Sequence, residues 1–327
     1  MNELPRQNYG VISTGSGGIS FGDNTAIGPD AHVEVTTPPG ERDSADDTSR
    51  RRAGSWDVGV ITALSEETAA VTAMLRRHGD HQHGDYHEET FPDGRRCHEA
   101  RIALGERDLG VVAIQAVQPG QRSAAVAFQR IRDTYAPAVI VLVGIAGGIH
   151  ADLALGDVVI AQGVVYYDLR KETPHGARRR GQNLQAPPAI LHCVNAFFAD
   201  HRYPLRLTGR DPAGGERPFT VLTGPIGSGD AVVADDRSAI RDYLGTVNDK
   251  TLALETEAGG IAQAFYEQVS DENPVVGWTS IRGISDQADI VKDDSFHVIA
   301  AENAATVLER LLPYLAVVTE RGAPRRR

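Results

Sequence analysis

Carboxylates recur in this chain where short apolar runs end. Glu66 and Glu67 follow residues 58–63, and Glu255 and Glu257 follow residues 251–254 and open a helical stretch. Asp230 follows the glycine-rich turn 224–229, and Asp286 follows the run 275–281 and the turn Arg282-Gly283-Ile284-Ser285. Carboxylates take a proton, give one, or stand against a developing positive charge. An acid at a helix start also caps free N–H groups and favours the helix dipole, and each of these acids taken alone reads most simply that way. All of them at strand ends, with glycine turns between, points to one shared pocket. Ligands of open α/β sheets bind just beyond the carboxyl ends of the strands.

The elements able to hold such a pocket begin at Trp56. From there short apolar runs alternate with helical periods, the signature of an α/β fold. The pattern predicts strands over residues 57–63, 97–104, 110–116, 138–143, 157–165, 219–224, 251–254 and 275–281. It predicts helices over 66–77, 121–135, 189–199, 238–244, 257–268 and 295–315. Val139-Ile140-Val141-Leu142-Val143 is apolar at consecutive positions, which implies burial on both faces of a sheet. The expectation is a three-layer α/β/α sandwich with a central mixed β-sheet, filling one catalytic domain over residues 56–318 and followed by a basic tail over 319–327.

Residues 1–55 differ, with closely spaced glycines over 9–35 and then a Pro-, Asp-, Arg- and Ser-rich stretch that reads as a flexible linker. The glycine-rich part has two readings: a disordered tail, or a short β-forming adaptor that engages a signalling partner. The GxSxG match at Gly18-Ile19-Ser20-Phe21-Gly22 lacks the strand and helix a nucleophilic serine needs. Gly15-Ser16-Gly17 lacks the remainder of a dinucleotide fingerprint.

The 327 residues hold 33 Lys and Arg against 44 Asp and Glu, a formal net charge of −11. That balance argues against a surface that binds nucleic acid by neutralising phosphates. No apolar run reaches the ~20 residues of a membrane span. Met1-Asn2-Glu3-Leu4-Pro5 has no basic stretch leading into an apolar one, so a soluble, cytoplasmic protein is expected. Cys97 and Cys193 have neither zinc nor disulfide spacing. His78, His81, His83, His87 and His98 crowd an expected loop without companion ligands. No metal and no cofactor are expected.

Six blocks carry a resemblance, and they stand in family order: VGVITALSEE (58–67), VGIAGGI (143–149), LGDVVIA (155–161), GPIGSGDAVVAD (224–235), ALETEAGGIAQAF (253–265) and IRGISDQAD (281–289). Together they resemble the nucleoside phosphorylase superfamily, and within it the methylthioadenosine/S-adenosylhomocysteine nucleosidases. The resemblance implies hydrolysis of the N-glycosidic bond of an adenine-type nucleoside. It implies that Glu67 positions and deprotonates the attacking water, and that Glu257, in the block with Glu255 and Thr256, grips the ribose 2′- and 3′-hydroxyls. Asp286, oriented by Ser285, would protonate the purine N7. Val233 would read the adenine edge beside Val232, the strand-end turn Ile145-Ala146-Gly147 would line the pocket, and Phe296 would stand near the 5′ end. A homo-oligomer is the usual assembly.

Elementary chemistry agrees with these roles. Breaking the bond builds positive charge on the sugar and negative charge on the base, so a carboxylate at the sugar and an acid at the base stabilise the transition state. Burial beneath an apolar strand end would help Asp286 keep its proton. The first loop, Thr62-Ala63-Leu64-Ser65-Glu66-Glu67, has no Arg, Lys or Gly with which to hold a phosphate dianion, and that favours water as nucleophile.

Three positions depart from the family pattern: Val232 replaces a phenylalanine, Thr256 a methionine, and Ile145 a small polar residue. The larger departure is the basic cluster Arg170, Lys171, Arg178, Arg179 and Arg180, in an expected loop on the 5′ side. A solvated loop is the plain reading of such a run. Contact with a 5′-phosphate is the other, and it would make the substrate a 5′-nucleotide such as AMP or ATP and the protein a bacterial defence effector. A catalytically silent nucleoside-binding module that signals through residues 9–35 is the third reading.

Overall fold

In a computed structural model, residues 56–80, 86–105, 107–268, 274–289 and 294–322 are described. The expectations for residues 1–55 and for Arg325-Arg326-Arg327 lie outside them.

The apolar runs become strands buried on both sides. Strand β1 (Val58–Thr62) is followed by helix α1 (Ser65–Asp80). Strands β2 (Tyr86–Thr90), β3 (Arg96–Leu104) and β4 (Arg107–Gln115) form an antiparallel meander that returns to β1. Helix α2 (Gln121–Tyr135) then leads to β5 (Val139–Gly148) and β6 (Val158–Tyr166). Small strands β7 (Arg170–Thr173), β8 (Gly176–Arg179) and β9 (Gln182–Gln185) precede α3 (Pro188–His201). The remainder is β10 (Leu205–Arg210), β11 (Glu216–Ser228), α4 (Ala239–Val247), β12 (Ala253–Glu255), α5 (Ala258–Glu267) and β13 (Gly277–Asp286). A 3-10 turn (Asp294–Phe296) opens the last helix, α6 (His297–Gly322).

Helices cover both faces of one mixed sheet whose strand order is β10-β11-β6-β13-β5-β1-β4-β3-β2. Alternate residues of β5 divide the core. Val139, Val141 and Val143 face a cluster with Met74 and Leu75 of α1, Phe197 of α3 and Leu308, Leu311 and Leu312 of α6. Ile140 and Leu142 face Phe128 and Ile131 of α2 and Ile261 of α5. The period of two in a doubly buried strand explains why no polar residue interrupts it. Among the described residues no helix is long and apolar enough to cross a membrane.

The sheet also closes on itself. β12 pairs in parallel with β11 and antiparallel with β5, so β5, β13, β6, β11 and β12 complete a ring of strands. Within it Leu254 stands beside Gly227 and Gly147, and Asp286 beside Gly147. The ends of β5, β12 and β13 are thus drawn together, and with them the acids that follow β12 and end β13.

Three expectations are corrected here. Three of the five histidines lie in regular elements rather than the expected loop: His78 in α1, His87 in β2 and His98 in β3, where Nδ1 meets the Tyr86 hydroxyl at 2.9 Å; His81 and His83 lie outside the described residues. The basic cluster is a β-hairpin rather than a loop, because Arg170 pairs with Arg179 and Lys171 with Arg178. Helix α6 continues to Gly322, into the expected tail.

Candidate active site

Glu67 is buried, and its carboxylate is tied into the turn before α1. Oε2 accepts the amides of Ala63 at 2.7 Å and Leu64 at 2.9 Å, and Oε1 accepts that of Ile145 at 2.8 Å. The Leu64 bond is the reciprocal half of a capping box, a glutamate in the first turn reaching back to the residue before the helix. Glu67 therefore caps the helix and also joins the end of β5 through the Ile145 amide. Three amides thus occupy three of its lone-pair sites and leave one, on Oε1. Burial pushes this carboxyl above the ordinary 4.5; Arg282 and the three amides oppose the shift.

Glu255 and Glu257 share the start of α5. Glu255 Oε2 accepts the Glu257 amide at 3.0 Å and the Ala258 amide at 2.8 Å, so Glu255 caps the helix and leaves the Glu257 side chain free to turn inward. Glu257 Oε1 accepts the amide of Gly120 at 2.8 Å and the hydroxyl of Thr256 at 2.5 Å. Gly120 precedes α2 with φ of 114°, a conformation that favours glycine and that aims this amide at the carboxylate.

Arg282, in the middle of β13, organises these acids. It is wholly buried, and its Nη2 donates to Glu255 Oε2 and, at 3.1 Å, to Glu257 Oε2. Nη1 lies 3.8 Å from Glu67 Oε1 and donates to the Ile145 carbonyl at 3.3 Å, while Nε donates to Ser280 at 3.0 Å. Burial alone would lower its pKa, but Glu255, Glu257 and Glu67 outweigh that and raise it. Burial also raises Glu255, against the pull of Arg282 and with a further push from Glu257. Glu255 Oε1 is buried without a hydrogen-bond partner. Gly144 lies against this cluster, where an added Cβ would collide with Glu67 Oε1 and Arg282 Nη1.

Asp286 ends β13 and is half-buried rather than sealed beneath the strand. Its Oδ1 accepts the Ala288 amide at 2.8 Å, and its Oδ2 accepts the buried Ser285 hydroxyl at 3.0 Å. Asp286 lines a cavity of about 70 Å³ with Gly147, Tyr167, Val233, Glu255 and Thr256. Val232 lies on the rim and is 69% exposed. Ile145 and Ala146 sit between this cavity and Glu67, Ile145 through its amide. The larger surface grooves, of about 770 and 800 Å³, hold none of Glu67, Glu257 and Asp286.

Phe296 is not among the residues lining the cavity; it is buried beneath the Arg217 guanidinium, 4.8 Å from the ring centroid. Asp230 does not join the acids, and its amide accepts a different task by donating to Asp168 Oδ2 at 2.5 Å. In the hairpin, Arg170 and Arg179 each stand 3.8 Å from Asp168 Oδ1, and Arg179 also donates to the Tyr167 carbonyl at 2.8 Å. Lys171, Arg178 and Arg180 are exposed.

Sequence reasoning missed Arg282. The signal was present: an arginine inside Trp278-Thr279-Ser280-Ile281-Arg282-Gly283-Ile284, a strand buried on both faces, requires buried acids opposite it.

The model of one family, described as the phosphorylase superfamily, matches residues 57–313. A 5′-methylthioadenosine/S-adenosylhomocysteine nucleosidase of Mycobacterium bovis is 28% identical over 282 residues, covering 79% of this chain and 97% of that protein. The ATP nucleosidase Cap17 of Escherichia coli is 29% identical over 215 residues, which span 61% of this chain but only 40% of that protein. Among solved structures, the methylthioadenosine/S-adenosylhomocysteine nucleosidase of Neisseria meningitidis in complex with methylthio-immucillin-A superposes with a TM-score of 0.58. It is 22% identical and covers 79% of this chain and 98% of that one, a likeness of fold.

Proposed function

The chain belongs to the phosphorylase superfamily, and from that premise we propose that it hydrolyses the N-glycosidic bond of a purine, adenine-type nucleoside, releasing free base and sugar. The observation that carries this reading is the buried assembly of Glu67, Glu255 and Glu257 around Arg282, a few residues from Asp286 on the same strand. In this reading Glu67 holds one water beside the sugar with its open lone pair and takes a proton from it as the C–N bond breaks. Glu257 accepts from a sugar hydroxyl, and its charge favours the cationic sugar over the neutral one. Asp286 gives its proton to N7 of the departing base, with Ser285 fixing its orientation.

Water suits this site better than phosphate. Arg282 is a cation at the heart of the cluster, but its donors are engaged by Glu255, Glu257, Ser280 and the Ile145 carbonyl. A phosphate dianion would meet the carboxylates instead. The cavity is smaller than the about 300–1,000 Å³ typical of small-molecule pockets, so a nucleoside requires it to widen. Incubation with adenosine and methylthioadenosine, with and without inorganic phosphate, tests the reading. Free adenine with free sugar at a rate independent of phosphate is expected; dependence on phosphate, with a sugar 1-phosphate as product, overturns it.

A 5′-nucleotide substrate, in a defence effector, is the second reading. It draws on the likeness to an ATP nucleosidase and on the two-faced hairpin. Arg170 and Arg179 are balanced by Asp168 and Glu172. On the other face Lys171 stands directly opposite Arg178, a like-charge pairing that costs stability unless an anion joins it. Neither makes an ion pair among the described residues.

A further inference from the structure

Glu257 is well supplied with donors before any ligand arrives. Oε1 accepts from Gly120 at 2.8 Å and from Thr256 at 2.5 Å, and Oε2 accepts from Arg282 at 3.1 Å. An ionised carboxylate offers about four lone-pair sites. One, on Oε2, is left. A ribose presents two adjacent hydroxyls, and each needs an acceptor if the carboxylate is to hold them as a pair. The neighbouring unpartnered oxygen, Glu255 Oε1, is sealed from solvent and gives no second place. The Gly120 amide is fixed by the backbone before α2, and Arg282 is fixed by Ser280, Ile145 and Glu255. Thr256 is half-buried and lines the cavity, so its hydroxyl is the donor that meets the sugar in competition.

We propose that Thr256 sets the sugar specificity of this site: its hydroxyl satisfies the Glu257 oxygen that a second ribose hydroxyl would require, so 2′-deoxyribonucleosides are accepted on nearly equal terms with ribonucleosides. The inference rests on the reading of Glu257 as the sugar-binding carboxylate. A site built wholly around a substrate hydroxyl rejects the analogue lacking it by about 10⁴–10⁵-fold, because a buried polar group is left unpaired. Here loss of the 2′-hydroxyl leaves no such group, since Thr256 already fills the acceptor. Thr256 is a positioning residue and acts on the sugar through Glu257.

The test compares kcat/KM for adenosine and 2′-deoxyadenosine in the full chain and in Thr256→Val and Thr256→Ser, alongside equilibrium binding of both ligands to the same proteins. The unaltered protein should prefer the riboside by no more than about tenfold, and Thr256→Val, which frees the acceptor, should raise that preference at least another tenfold. Thr256→Ser keeps the hydroxyl and should keep the original ratio. A preference beyond tenfold in the unaltered protein, or the same ratio in Thr256→Val, overturns the proposal. If no nucleoside loses its base, the hydrolytic reading fails while the binding ratios still decide the role of Thr256. If neither ligand binds any of the three proteins, both fall.

Discussion

Arg282 reaches Glu257 from inside the sheet, its Nη2 3.1 Å from Oε2, with both side chains withdrawn from solvent. Removing this guanidinium leaves buried carboxylates without a counter-charge, and Arg282→Met should cost about 3–5 kcal/mol of stability. Denaturant unfolding checks it. Adding Glu255→Gln to that variant should recover part of the loss, since one uncompensated charge goes with it. Strictly additive effects would mean that the two residues do not interact.

Gly144→Ala is expected to abolish turnover. The new methyl group meets Glu67 Oε1 and Arg282 Nη1, neither of which can retreat in a close-packed interior. Activity assays with a folding control by circular dichroism decide it. Normal turnover would mean that Glu67 is not held where the reaction needs it.

On the proposed reading, Asp286→Asn removes the proton donor and keeps the shape. A general acid contributes typically about 10²–10⁴-fold, and a loss of that size in kcat is expected with the melting temperature little changed. A substrate whose leaving base needs no protonation should be spared, which separates loss of the proton from a distorted pocket.

The pH dependence of Glu67 has opposite signs for stability and for chemistry. Burial holds its carboxyl above 4.5, so between 4.5 and the raised value the folded chain binds more protons than the unfolded one. The stabilisation is therefore present in full below pH 4.5 and is lost as pH rises through the folded value. Glu255, also raised by burial, acts in the same direction. Glu67 as the proposed base must be ionised to act, so kcat/KM should instead climb with pH over that window. An acid limb centred at or below 4.5 contradicts the assignment of Glu67. Glu67→Gln should lower turnover and flatten the stability profile in the same range.

The hairpin gives a selective test of the nucleotide reading. Lys171→Ala with Arg178→Ala should weaken ATP cleavage and spare adenosine, and the difference should shrink as salt is raised. Equal effects on the two substrates count against phosphate recognition there.

The apolar strands and the helices were legible because burial on both faces writes itself as consecutive Val, Ile and Leu. Residues 121–135 were expected as a helix, and Gln121–Tyr135 is one. Strand β2, Tyr-His-Glu-Glu-Thr, was not legible, since its half-exposed polar residues carry no hydrophobic period. The hairpin β7–β8 was hidden for the same reason. The acids at strand ends could be seen one by one. Their common partner could not, because Arg282 binds Glu67, Glu255 and Glu257 across sequence distances that only the ring of strands brings together. That ring depends on β12, Ala253–Glu255, too short for periodicity to announce which neighbours it joins.

The order of strands ends in β10 on one side and β2 on the other. β10 exposes Arg206 and Arg210, and β2 carries His87, Glu88 and Glu89. Charged outer strands resist extension by another ladder, which makes backbone pairing between copies unfavourable along either border. The two ends of the main strand order thus carry their own deterrent to strand addition, written in the side chains of β10 and β2.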